Sequence, residues 1–366
     1  MGPVLDASGL EAIKPMAFAA SALAALLSPL FFGAMADRSI PPARVLRWIS
    51  LGTALMVWMV AWAIELNLNA WIVLSLIQAQ SLFCAPASSL SGSIVFSRLV
   101  NSQRQFGSIR ALGTMGWIAG CWTTSLLKLD SSPFAFYLSG ILWTILAGYS
   151  LLLPHSMVAI SSPRKLTLRE RFGLDALSLL RVHDNRVIFF TAALIAIPFA
   201  AFYPFTPAHL TELGLQRISA WMSLGQVTEI VAMIMIGMIL GRWRLKWVIL
   251  AGLACGLLRY ALYALDAAFP VLVGVGLHGF AFTLTYISTQ IYLAERIDPE
   301  WRTRAQALLS LMTAGVGNLT GYLLTGLWLR FNQSAGQVHW SLFWGGLAVL
   351  VLLVLVYFSR SYHSKT

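Results

Sequence analysis

Trp340-Ser341-Leu342-Phe343-Trp344-Gly345-Gly346-Leu347-Ala348-Val349-Leu350-Val351-Leu352-Leu353-Val354-Leu355-Val356-Tyr357-Phe358-Ser359 is a run of twenty residues without a charge. Wound as an α-helix, it reaches about 30 Å, the thickness of a bilayer's hydrocarbon core. Similar runs recur along the whole chain. Breaking the sequence at charges and Pro/Gly punctuation gives eleven spans, near 13–34, 44–64, 70–95, 108–127, 132–153, 187–208, 218–240, 247–266, 270–293, 305–329 and 340–359. The composition agrees: 58% of the residues are hydrophobic and 11% charged, where a soluble domain carries about 25% charged residues. The expected fold class is all-α, a polytopic membrane protein of two helical bundles with five and six spans.

The basic residues orient the spans. Loops after the first, third, fifth, seventh and ninth spans, together with the C-terminal tail, hold nineteen Lys and Arg. The opposite side holds four, Lys14, Lys128, Arg217 and Arg330. Positive loops stay inside, which puts the C-terminus in the cytoplasm of a cell-membrane protein and, with an odd span count, the N-terminus outside. A formal charge of +11 invites a polyanion partner, but the cations lie between spans rather than on one patch, so no nucleic acid is expected. Cys84, Cys121 and Cys255 fall inside apolar spans at spacings that suit neither disulfides nor a metal site. No cofactor, metal or ATP site is expected, because phosphate-loop and catalytic signatures are missing from the sequence. Three parts are expected: a bundle over 1–154, a cytoplasmic linker over 155–186 with a short amphipathic helix at Leu174–Leu180, and a bundle over 187–366.

A weak repeat relates the two bundles. Gly33-Ala34-Met35-Ala36-Asp37-Arg38 closes the first span and Gly237-Met238-Ile239-Leu240-Gly241-Arg242 closes the seventh. The first piece, followed by Pro41, Pro42, Arg44 and Arg47, resembles the signature loop of the major facilitator superfamily, in which parallel repeats rock about a central site. Gly33, Asp37 and Arg38 are therefore expected to serve conformational change; the plain alternative is a solvated helix end.

Four polar constellations lie within spans. Arg110, Thr114 and Trp117 share one helical face. An arginine near mid-bilayer costs about 2.5–3.5 kcal/mol on insertion scales; Arg110 faces either a wet chamber or, from the helix end, the cytoplasm by snorkelling. Gln226 and Glu229 share a face of the seventh span. An intramembrane carboxylate is a candidate proton carrier unless it is held in a permanent ion pair, for example with Arg259. His278, Phe282 and Tyr286 form a third row, fit either to exchange protons and stack a planar ligand or simply to pack. Arg259, in Leu257-Leu258-Arg259-Tyr260, reads as a structural or gating charge.

Together these residues resemble the nucleoside:proton symporters of the major facilitator superfamily. The likeness runs through Phe106–Trp117, Gly173–Ala176, Leu224–Ile230, Leu258–Tyr260, Leu277–Gly279 and Arg304–Leu308. It implies uptake of a nucleoside-like solute with protons by alternating access, with Arg110, Thr114, Trp117, Gln226, Glu229, His278 and Phe282 at the solute and Glu229 and His278 for protons. A monomer is expected. The alternatives are a carrier for a sugar or an aromatic acid, or a membrane enzyme or assembly factor. Two departures stand out: Thr283 follows the aromatic Phe282 where the family has an acid, and Phe199-Ala200-Ala201-Phe202-Tyr203-Pro204 is apolar where the family has a polar pair. Residues 1–12 resemble the loop after the family's first helix, which implies a start placed too far downstream or a truncated chain.

Overall fold

The computed structural model describes residues 1–36, 41–96, 102–153, 174–334 and 336–363. Its first stretch contains helices α1 (Gly2–Ala7), α2 (Lys14–Ala36), α3 (Pro42–Glu65), α4 (Ala70–Cys84), α5 (Ala87–Phe96), α6 (Ser102–Leu126) and α7 (Phe134–Tyr149). After a 3-10 turn at Leu174–Arg181 come α8 (His183–Phe199), α9 (Phe202–Glu212), α10 (Ile218–Met222), α11 (Leu224–Arg242), α12 (Leu245–Tyr263) and α13 (Ala268–Phe282). The chain ends with α14 (Ser288–Arg296), α15 (Pro299–Ser310), α16 (Asn318–Phe331) and α17 (Trp340–Ser361). A two-residue hairpin pairs Gln333–Ser334 with Gln337–Val338. Among the described residues seven helical stretches are long and apolar enough to cross a membrane, and two shorter apolar helices accompany them.

Every expected span is helical, but several are broken, and proline explains the clearest breaks. Pro86 lacks the N–H that would continue α4, so a new helix starts at Ala87. Pro204 leaves the Ala200 carbonyl without its partner, and the span splits between α8 and α9. The ninth span passes through a π turn at Thr283–Ile287 and the tenth through another at Leu311–Gly317; such turns are rare and gather at functional sites. The tenth span also starts earlier than expected, because Pro299 sits in the first turn of α15 and begins a helix ahead of its apolar part.

The chain forms two compact units, one of residues 1–115 and 127–171, the other of residues 116–126 and 172–366. In the first, α3 lies against α4 and α7, with Val60, Ile64, Val73 and Ile77 in a core that α1 covers through Val4 and Leu5. Lys14, counted above among the outer cations, is 4% exposed and donates to Asp6 Oδ1 at 2.6 Å. The second unit packs α12 against α13 and α17 around Phe202, Phe205, Tyr260, Tyr263, Phe343 and Trp344. On the outer surface, Ile145, Leu142, Ile234, Phe269, Leu342 and Leu353 are exposed, a coat suited to acyl chains and costly in water.

Candidate functional site

The break before Pro204 shapes the candidate site. The Ala201 amide closes the turn onto the Pro198 carbonyl at 3.1 Å, and the Tyr260 hydroxyl donates to the same carbonyl at 2.5 Å. This fixes Phe199 on one side of the break and Phe202 and Tyr203 on the other. Phe202 then stacks face to face on His278, with centroids 3.9 Å apart and planes 7° apart. Tyr203 meets the same imidazole edge-on at 5.9 Å. From α11, Gln226 donates Nε2–H to the Tyr203 hydroxyl at 3.2 Å. From the segment 116–126 of the same unit, Trp117 sets its ring edge-on to Tyr203 at 6.4 Å. Gln226 is 4% exposed and Trp117 57% exposed, so an anchored amide lies beside an open aromatic wall.

Glycine brings α11 and α13 together. A Cβ on Gly279 would stand on the Glu229 backbone nitrogen and 2.5 Å from the Thr228 carbonyl carbon and Oγ1. Backbones this close need a residue without a side chain. The contact places Glu229, half-buried, one helix away from His278. Gly225 has the same role on a smaller scale, with His278 Cδ2 3.2 Å from where its Cβ would be. Along α13, His278 lies 6.2 Å from Phe282 and Phe282 lies 5.2 Å from Tyr286, so the three rings form a continuous row. Thr283, at the start of the π turn, is fully buried, and among the described residues its hydroxyl has no hydrogen-bond partner.

Arg259 lies behind this row. Its Nη1 donates to His278 Nδ1 at 2.7 Å. Its guanidinium carbon stands 4.4 Å from the Phe199 centroid and 4.4 Å from that of Tyr260, within cation–π range of both rings. The side chain is fully buried, and among the described residues Nε and Nη2 have no hydrogen-bond partner.

The remaining expected residues divide by unit. Thr114 is buried and belongs to the first unit. Arg110 lies in α6, but its side chain is outside the described residues. Gly33 lies in α2 with its surroundings undescribed, and Asp37 and Arg38 are outside the described residues altogether. The structure thus brings Trp117, Gln226, His278 and Phe282 into one cluster, with Glu229 and Arg259 bordering it. Phe199, Phe202 and Tyr203 were not singled out from sequence; the signal for them was three aromatic residues flanking a stretch with Pro198, Pro204 and Pro207. Among the described residues no group of three or more His, Cys, Asp or Glu is placed to hold a metal.

Rings that stack and an amide that reads an edge are what recognition of a planar heterocycle requires. The family model described as "Nucleoside H+ symporter" matches residues 3–366. The putative nucleoside transporter YegT of Escherichia coli (strain K12) is 31% identical over 363 residues, covering 93% of this chain and 83% of that protein. The xanthosine permease of the same organism is 25% identical over 369 residues, covering 95% and 87%. The crystal structure of a point mutant of the nucleoside transporter NupG superposes with a TM-score of 0.90 at 22% identity, covering 99% of this chain and 94% of that one.

Proposed function

The chain belongs to the nucleoside H+ symporter family, and from that premise we propose that it carries nucleosides inward with protons, reading the base with the aromatic–amide cluster of its second unit. It is a multi-pass membrane transporter with the major facilitator fold, not an enzyme. The observation that carries the substrate reading is the Gln226–Tyr203 hydrogen bond at 3.2 Å beside the open face of Trp117. A base stacked on Trp117 would take its edge contacts from Gln226 and His278, with Phe282 closing the far end of the row. Arg110 and Thr114, seven and three residues before Trp117, fall on the same helical face and stay candidate solute contacts by the family resemblance.

Glu229 is assigned the proton. It is the acid on the Gln226 face, and the position after Phe282, acidic in the family, is Thr283 here. The charge asymmetry between loops supports a cytoplasmic C-terminus and the inner membrane; the working unit proposed is the monomer. The test is uptake of radiolabelled uridine by proteoliposomes with and without an inward proton gradient. Accumulation that depends on the gradient, and is lost in Trp117→Ala and Gln226→Ala, supports the reading; no uridine accumulation above that of protein-free vesicles refutes it. For Glu229→Gln the expected result is loss of gradient-driven accumulation with solute exchange retained.

A further inference from the structure

Arginine has only donors and keeps its charge at any ordinary pH. The 2.7 Å contact between Arg259 Nη1 and His278 Nδ1 therefore requires a lone pair on Nδ1, and the imidazole must carry its proton on Nε2. Its neighbours hold the ring in place. Phe202 lies flat on it at 3.9 Å, Tyr203 abuts it edge-on, and its Cδ2, the atom next to Nε2, faces Gly225. Nε2 thus sits on the edge away from Arg259 and next to the helix that carries Gln226. The burial differs between the two partners: His278 keeps 5% exposure and Arg259 none. A solute approaching from the Gln226 side would meet the imidazole edge before the guanidinium. Burying Arg259, whose Nε and Nη2 have no hydrogen-bond partner among the described residues and whose guanidinium rests against the Phe199 and Tyr260 rings, is costly for a residue that only packs.

We propose that Arg259 is a positioning residue that holds His278 as a neutral Nε2–H donor, so that the site selects bases presenting a hydrogen-bond acceptor, an exocyclic oxygen, over bases presenting an amino group there. This rests on the nucleoside reading above. It also leaves the proton to Glu229, because a proton on Nδ1 would face the Arg259 N–H.

Two measurements test it. In proteoliposomes, uridine should compete better than cytidine, and inosine better than adenosine, because the amino member sets donor against donor. Arg259→Met frees the imidazole to take either tautomer, and the oxo/amino preference should fall on the order of tenfold. Arg259→Lys, which keeps one charged N–H for Nδ1, should restore it, and His278→Gln should preserve it through its amide N–H. An unchanged preference in an Arg259→Met protein that still takes up label overturns the proposal. Because that variant removes a buried side chain, the tautomer is also read in the unaltered protein from the ¹⁵N spectrum of histidine-labelled material, with His278 assigned by its loss in His278→Gln. Nε2–H at neutral pH is expected; an Nδ1–H or doubly protonated ring overturns the assignment. If the nucleoside reading itself fails, no nucleoside is taken up at all, while the spectrum still reports the tautomer.

Discussion

Gly279→Ala probes the junction on which the candidate site depends. The added methyl would stand 2.5 Å from the Thr228 carbonyl carbon and Oγ1 and still closer to the Glu229 amide nitrogen, where 3.4 Å begins ordinary contact. Backbone atoms cannot rotate away, so α11 and α13 must part by about an ångström in an interior packed nearly as densely as a crystal. Overpacking of this kind costs about 1–3 kcal/mol, and backbone as the obstacle puts this case at about 3 kcal/mol. The same displacement draws Glu229 and Gln226 away from His278, so uptake should fall with stability. Gly276→Ala, one turn earlier on the same helix, is the control: nothing lies within 4 Å of its added methyl, and replacing a helical glycine should be neutral or stabilising by up to about 1 kcal/mol. Thermal unfolding of the detergent-solubilised protein, followed by tryptophan fluorescence, and nucleoside uptake should both separate the two variants. Equal melting and equal uptake would refute the close approach of these helices.

Other expectations concern the rest of the second unit. His209 Nδ1 accepts from Trp344 Nε1 at 3.0 Å while Nε2 contacts Asp266 at 2.8 Å; His209→Ala leaves a buried indole N–H unpaired and should cost about 2–3 kcal/mol of stability, visible as a lower melting temperature, with Trp344→Phe in the His209→Ala background recovering part of it. Tyr260→Phe removes the donor to Pro198 that fixes the break before α9 and should lower stability by about 1 kcal/mol, measured the same way, and weaken uptake by loosening Phe202 and Tyr203. Trp117→Phe keeps a ring against Tyr203 and should retain more uptake than Trp117→Ala, with the difference in apparent affinity rather than in maximal rate; equal loss in both would remove stacking from the site.

The spans were legible because lipid imposes one rule on sequence: an uncharged run of about twenty residues must be a helix. Trp340–Ser359 falls within α17, and Arg242, Arg244 and Lys246 mark the boundary between α11 and α12. What sequence did not reveal depends on contacts between helices. Arg259 and His278 are 19 residues apart on neighbouring helices, and no spacing rule within one helix pairs them. Tyr203 read as part of an apolar stretch because its partners, Gln226 and Trp117, lie on other elements. Instead of the alternative ion pair with Glu229, Arg259 directs Nη1 to His278, while among the described residues Nε and Nη2 have no hydrogen-bond partner. The break at Ala200–Ala201 was foreseeable from Pro204, but the convergence of aromatic rings that it produces was not.

Proton movement measured together with solute entry bears most directly on the transporter as a whole. With uridine added outside proteoliposomes that hold a pH-sensitive dye and start without a gradient, the lumen should acidify as label enters, and Glu229→Gln should abolish the acidification. Label entering at full rate while luminal pH stays constant would contradict symport.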